Sequence, residues 1–204
     1  MNWEDARTLK DLGEMTVRWL LGEIDATPSH GGPPDRETAR IVDYLVAFNR
    51  VGFVTENSQP AENVQYDNDG HPLYGQRAMV SGWCDRSTAQ RLVRLTLASD
   101  LIVLAHQPGG DSCVKIPVTI APGGPSDGSD DSYAIWDEPE DVGGAFTFAG
   151  SVYGDEDIDD IFSGECSPEA VTALQTAWTV EIIDPVWGRD DVLWPALAQV
   201  LEAA

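Results

Sequence analysis

Two short polar clusters hold the side chains in this chain best suited to contacting a small molecule. One is Thr55 to Gln59 (TENSQ) together with Gln76 and Arg77; the other is Asp184 with Trp187, Gly188 and Arg189. Within them Ser58, Gln59, Gln76, Arg77, Asp184, Trp187 and Arg189 are the candidate ligand-binding residues. They offer hydroxyl and amide groups that donate and accept, an indole face, and two guanidiniums able to grip an anion in a fork. The guest this set suggests is a nucleotide or another small anionic metabolite. The second cluster also has a plain structural reading, since a lone Arg among carboxylates is more often the centre of an ion pair than an anion clamp. Trp187 and Trp194 are equally at home in a core.

Other chemistry finds less support. Nucleophilic catalysis needs a Ser or Cys beside a base that a third group orients. Cys84, Cys113 and Cys166, with His71 and His106, have no local signature of such a pair. No GxSxG, HExxH, Walker loop or strand-linked GxGxxG occurs. Gly109-Gly110 and Gly123-Gly124 lack the Lys and following helix that phosphate binding uses. Asp155, Asp157 and Asp159 match the first, third and fifth positions of an EF-hand loop. Asp160 then stands where a sharp turn needs Gly, and Cys166 where a bidentate Glu is required. The reading is therefore a solvated acidic loop over 154–166, with no metal and no cofactor expected. Enzyme status stays open, with the balance against it.

The charge is unevenly distributed, and this bears directly on partners. The 204 residues carry 12 basic and 35 acidic side chains, for a net charge of -23. Residues 1–94 hold ten basic against 14 acidic residues, whereas residues 95–204 hold only Lys115 and Arg189 against 21 acidic ones. A nucleic-acid groove needs clustered Lys and Arg to displace counterions, so direct DNA or RNA binding is not expected, nor docking on an anionic membrane. A basic protein is the natural partner of such a surface. The expected contact face comprises Asp130, Asp131, Asp137, Glu138, Glu140, Asp141, Asp155, Glu156, Asp157, Asp159 and Asp160.

With 42% hydrophobic residues the chain can bury a core despite this charge. No apolar run reaches membrane-spanning length. The first residues lack a secretory h-region or transit-peptide character. Three Cys in no CxxC pair argue against a disulfide framework or structural zinc. The expectation is a cytoplasmic protein with reduced thiols, possible as a homo-oligomer.

The elements that must position the clusters follow from periodicity. Trp3, Ala6, Leu9, Leu12, Met15 and Trp19 recur at helical spacing from an Asn2 cap to Gly22. Asp35 caps a second helix with Ile41, Val42, Leu45 and Phe48 on its apolar side and Gly52 at its end. After a short strand at Phe53–Glu56, Ser58 to Gly75 is rich in turn formers and reads as a long loop able to act as a lid. Arg77 to Cys84 reads as a strand, Asp85 caps a helix through Leu97, and Leu101 to His106 is a buried strand, together a βαβ unit. Strands follow at Val114–Ile120, where Pro117 favours an edge or bulge, and at Ala145–Val152. Ser167-Pro168-Glu169 starts a helix, Thr179–Ile183 is a strand, and a last helix carries Leu193, Leu197, Val200 and Leu201. The sum is one α/β or α+β domain over 1–204, with two N-terminal helices, a mixed sheet of five to six strands and a C-terminal helix, and an acidic Gly-rich linker at 122–133.

Four segments, WEDARTLKDLGEMTVRWLLGEI, NRVGFVTENSQP, QRAMVSGWC and WTVEIIDPVWGRDDVLWPAL, resemble a family of uncharacterised actinobacterial and actinophage proteins. They spread over most of the chain. The resemblance implies an actinobacterial or phage origin, in keeping with ten Arg and only two Lys, and its motifs include Ser58, Gln59, Gln76, Arg77, Asp184, Trp187, Gly188 and Arg189. The chain departs from the family pattern at Ala61, where Gly usually follows Ser-Gln-Pro, and by its acidic insertion after residue 122.

Two functions emerge as expectations. The first is an acidic interaction protein that occludes a basic, nucleic-acid-binding or defence partner in the manner of a DNA mimic. The second is a small-ligand protein or enzyme whose pocket lies at the strand ends around Ser58, Gln59, Gln76, Arg77 and Arg189.

Overall fold

The computed structural model describes residues 2–112, 114–122 and 144–202. Its N-terminal stretch departs from the single helix that the periodicity predicts. Asn2 starts only one turn, Trp3–Asp5, after which Ala6 is extended and fully buried. The helix proper, α1 (Leu9–Leu20), begins at Thr8, which accepts the Asp11 N–H while Asp11 accepts the N–H groups of Arg7 and Thr8. A reciprocal cap of this kind satisfies donors that a helix running through Ala6 would not leave free, and it overrides the apolar spacing. Trp3 and Trp19 donate their indole N–H groups to Ala26 and Gly32 carbonyls, which fastens the following loop.

The second predicted helix also splits, into a short 3-10 segment (Arg36–Arg40) and α2 (Val42–Arg50). Gly52, with φ of 91°, ends it in the left-handed region as expected. Buried Asn49 then ties α2 to the next strand, donating to the Leu45 carbonyl and Thr55 Oγ1 and accepting the Thr55 N–H.

The strands are β1 (Phe53–Gln59), β2 (Glu62–Tyr66), β3 (Pro72–Gln76), β4 (Met79–Cys84), β5 (Ile102–His106), β6 (Ile116–Pro122), β7 (Gly144–Ala149) and β8 (Trp178–Ile183). They form two four-stranded antiparallel sheets, ordered β1-β4-β8-β5 and β2-β3-β6-β7, in place of one mixed sheet. The fold is mixed α/β. The expected βαβ crossover survives in altered form: β4 and β5 are both antiparallel to β8, which lies between them. Helices α3 (Arg86–Val93) and α4 (Leu95–Ala98) make that connection, broken at Arg94.

The expected long loop 58–75 is instead the end of β1 followed by the β2–β3 hairpin. Gln65 and Tyr66 pair with Tyr74 and Pro72 across a turn in which Asp67 Oδ1 accepts the N–H groups of Asp69 and His71. The turn formers cluster at 67–71 and do not dissolve the flanking strands. Pro117 sits at an irregularity in the β6–β7 register, as its missing N–H requires.

The segment 154–166 is likewise no loop: Asp155–Phe162 is helix α5. Asp157 accepts the Gly154 N–H, and three carboxylates occupy the first turn, where the helix dipole favours negative charge. Ile158 and Phe162 supply its buried side. On the helix Asp157 lies on the far side from Asp155 and Asp159, which share a face one turn apart, so the three do not converge on an ion.

Helix α6 (Pro168–Gln175) starts at Ser167, whose hydroxyl accepts the Ala170 N–H. Helix α7 is Leu193–Glu202. One face of the first sheet is covered by α2, α3 and α7 through Phe48, Leu92, Trp194 and Leu197 against Val80, Val180 and Ile182. On the other face Val54 and Trp83 meet α5 and α6, while Met79 and Ile183 meet Val118 and Ala149 of the second sheet. Among the described residues no helix is long and apolar enough to cross a membrane. Cys113, Asp130, Asp131, Asp137, Glu138, Glu140 and Asp141, and most of the predicted 122–133 linker, lie outside the described residues.

Candidate functional site

Six of the seven predicted ligand-binding residues come together, in a joint where the chain passes between the two sheets. Gln59 donates to the carbonyls of Arg77 and Val118 and accepts from the Thr119 hydroxyl, so one amide bridges both sheets. Arg77 donates to the Pro117 carbonyl and lies over the Trp187 ring, 4.5 Å from its centroid. Gly188 N–H reaches the Gln76 carbonyl. Arg189 Nε donates to both oxygens of Asp184, and its terminal nitrogen reaches Asp100 at 2.7 Å. Asp184 is fully buried. The Arg189 guanidinium is thus already engaged by protein carboxylates, which is the structural reading of this cluster, while Arg77, held by Pro117 and Trp187, keeps its Nε buried without a partner, as Gln76 does its Oε1. Ser58 stands apart, on the wall of a small crevice of about 90 Å³ beside Trp3, Trp19 and His30.

The larger cavity, about 450 Å³, opens elsewhere, over the face of the first sheet that looks toward the second. Successive strand residues alternate faces. Val180 and Ile182 of β8 enter the helix-covered core, and Thr179 and Glu181 turn to the cavity. On β4, Ser81 and Trp83 take the same side, Ser81 directly opposite Glu181. The register of β1 shifts between Thr55 and Asn57, so Glu56 is the extra residue of a bulge. Bulges re-aim side chains, and this one brings the Glu56 carboxylate to the Ser81 hydroxyl at 3.4 Å. Tyr153 closes the row by donating its phenol to the other Glu56 oxygen at 3.1 Å. Phe148, Ala149 and Val118 form the apolar wall, and Asp157 of α5 stands at its edge. Trp83 is the partition, with Tyr153 and Phe162 rings 5.8 and 5.7 Å from its own.

The electrostatics of this cavity are one-sided. Burial pushes the Glu181 carboxyl up to about 7, against the hydrogen bond from the Gly150 N–H, and the neighbouring Glu56 raises it further. Burial also raises Glu56, opposed by the bonds from Tyr153 and Ser81. No Lys, Arg or His is among the described residues lining the space. Two lining residues each hold a buried polar atom without a hydrogen-bond partner, Glu181 at Oε2 and Trp83, whose ring also borders the small crevice, at Nε1. Such a carboxyl exchanges a proton near neutrality and, once ionised, offers an acceptor to whatever fills the space.

The remaining titratable groups are placed away from this cavity. Cys84 and Cys166 are buried in the two helix-facing cores, where burial lifts their thiols to about 12 and 11. His106 ends β5 as predicted, its ring held toward the neutral form by burial. Asp67, Asp69 and His71 bring ligand atoms within 4.8 Å of one another in the β2–β3 turn, but Asp67 is occupied by the bonds that shape the turn.

The sequence matches the family described as "Domain of unknown function (DUF6919)" over residues 1–128 and 140–204. The chain belongs to this family. It is also similar to segments of two reductases. One is "Methylenetetrahydrofolate reductase 1" of Schizosaccharomyces pombe, 31% identical over 74 residues, which is 36% of this chain and 12% of that protein. The other is "Probable methylenetetrahydrofolate reductase (NADH)" of Oryza sativa subsp. japonica, 29% identical over 121 residues, 54% of this chain and 20% of that protein. The matches therefore span a fifth or less of each reductase. As a member of the DUF6919 family, the chain has two sets of site residues of different legibility. Glu56 lay inside the polar TENSQ cluster. Ser81, Trp83, Tyr153 and Glu181 escaped the sequence reading, although a lone Glu inside the apolar strand WTVEII is a readable mark of a buried carboxylate.

Proposed function

We propose that this domain is a small-molecule-binding domain whose ligand occupies the cavity above Glu56, Ser81 and Glu181. The observation that carries this reading is the buried Glu181 oxygen, unpartnered on the wall of a space the size of a metabolite site. A buried acceptor left without a donor is costly, and a ligand donor would relieve that cost. Similarity to segments of two enzymes named for a small-molecule substrate fits the same direction. Reductase activity is not carried over with so short a segment. The unpaired buried thiols of Cys84 and Cys166 suit the cytoplasm as its compartment.

The test is a thermal-shift screen with amines, carboxylates, sugars and nucleotides, followed by NMR of the tryptophan indole N–H signals. A ligand that binds only the folded state raises its stability, and one in this cavity moves the Trp83 signal. A screen at millimolar concentration in which no compound does both overturns the reading.

A second reading has its own support in α5, where Asp155, Glu156, Asp157, Asp159 and Asp160 are all exposed. This acidic helix surface would take a basic protein, as an inhibitor from a phage or actinobacterial source would. Neutralising these five residues abolishes salt-sensitive capture of a basic partner on that reading, and unchanged capture sinks it.

A further inference from the structure

We propose that the ligand of the Glu56–Glu181 cavity is a small organic cation that gives an ammonium-type N–H to the Glu181 carboxylate. This rests on the small-molecule reading above and adds to it the charge and the hydrogen-bonding pattern of the guest.

The charge follows from the lining. Glu56 comes from β1, Glu181 from β8 and Asp157 from α5, and no basic residue faces them among the described lining residues. Among the described residues the other strands contribute no further ionisable groups to the lining: Met79, Ser81 and Trp83 on β4, Val118 on β6, and Thr147, Phe148 and Ala149 on β7. Tyr153 contributes a phenol already donating to Glu56. The nearest basic side chain by register is His106, paired with Thr179 across β5 and β8, and burial favours its neutral form. An anionic guest would enter a wall of like charge, whereas a cation restores neutrality in a space where water screens little.

The hydrogen-bonding pattern follows from the orphaned carboxylate oxygen. Glu181 is 6% exposed, so Oε2 has no ready access to bulk water. Once ionised, this oxygen only accepts, which matches a molecule that brings an N–H to it. The aromatic pair Trp83 and Tyr153 beside the carboxylates favours a cation further, since ring faces attract positive charge.

A proton is linked to this event. An ammonium group selects the ionised form of Glu181, so binding near neutral pH releases the proton that burial had retained.

The experiment uses the full chain and probes matched in shape but not in charge: tyramine, tyrosol with hydroxyl in place of ammonium, and 4-hydroxyphenylacetate, with agmatine as a further cation. Affinity is read from the Trp83 indole N–H in NMR titrations. Expected is binding of at least one cation, with tyramine favoured over tyrosol if it is that cation. The preferred cation should bind roughly tenfold more weakly at about pH 6 than at about pH 8, because about a tenth of Glu181 is then ionised. Glu181→Gln, which keeps shape and the acceptor for Gly150, abolishes both the preference and its pH dependence. Equal or tighter binding of tyrosol or 4-hydroxyphenylacetate at the Trp83 signal overturns the cation proposal and leaves the small-molecule reading standing. Silence of that signal with every probe overturns the cation proposal, and the small-molecule reading falls with it only when the wider screen is silent as well.

Discussion

Ser81 and Glu181 stand directly opposite one another across β4 and β8, on the face of the first sheet that the helices α2, α3 and α7 do not cover. Polar cross-strand pairs at the centre of a four-stranded sheet are expensive unless they are satisfied or used. Ser81 is satisfied by Glu56, delivered by the bulge of β1, while Glu181 keeps one oxygen unpartnered. The two flanking apolar clusters, around Trp83 and around Met79, hold the sheet together on either side of this polar row.

The unpartnered carboxyl makes stability depend on pH in a definite direction. Glu181 has its pKa raised from 4.5 to about 7, so the folded chain holds this proton more tightly than the unfolded chain. As pH rises from 4.5 through 7 the contribution of this group to stability falls, and above that range the full cost of the buried charge remains. Glu181→Gln removes the titration. The variant is expected to be more stable than the parent by roughly 2–3 kcal/mol near pH 8 and by little near pH 4, read from urea unfolding at both. An equal difference at both pH values would contradict a charged Glu181 at neutrality.

Gly82 fixes the bulge that aims Glu56. A Cβ at this position would run into the Val54 carbonyl oxygen and crowd Thr55 Cα, both backbone atoms of the paired strand. Gly82→Ala is expected to cost about 1–3 kcal/mol and to separate Glu56 from Ser81. Unchanged unfolding midpoints, with the Tyr153 and Trp83 resonances undisturbed, would show that the strands absorb the methyl group.

The legibility of this molecule in its sequence varied with the range of the interactions involved. Short-range marks held: Gly52 ends α2, Ser167-Pro168 starts α6, and Pro117 sits at a β-irregularity. Two failures came from reading composition as conformation. The polar 58–75 segment is a hairpin because its turn formers are concentrated at 67–71, and the acidic 155–162 segment is a helix because Ile158 and Phe162 anchor its inner side. The split into two sheets and the insertion of β8 between β4 and β5 depend on contacts distant in sequence, which no local pattern encodes. For the same reason the joint that brings Gln59, Gln76, Arg77, Asp184, Trp187 and Arg189 together, and the intramolecular bonds they make there, could not be read. The Glu56–Ser81–Glu181 row required a strand register spanning most of the chain.

The joint formed by those residues carries a stability prediction. Among the described residues Arg189 is the only side chain in hydrogen-bond contact with the fully buried Asp184 carboxylate, with the Val186 N–H as a further donor. Arg189→Ala leaves that charge buried and unpaired, and a loss of about 3–5 kcal/mol is expected in chemical denaturation. Arg189→Lys retains the charge without the planar fork and should fall between the two. A loss below about 1 kcal/mol for the Ala variant would mean that the carboxylate rehydrates by local opening.

Thiol reactivity tests the placement of the two helix-facing cores. Burial raises Cys84 to about 12 and Cys166 to about 11, so at about pH 8 almost no thiolate is present at either, and both side chains are shielded from reagent. Iodoacetamide followed by peptide mass spectrometry should leave both unmodified in the native protein and modify both in denaturant. Cys166, at 7% exposed and at the end of the α5 turn, should react before the fully buried Cys84 as denaturant is raised, if α5 opens ahead of the sheet. Simultaneous labelling at every denaturant concentration would instead make the α5–α6 layer and the first sheet one cooperative unit. Rapid native labelling of Cys84 would contradict the packing of α2, α3 and α7 over that face.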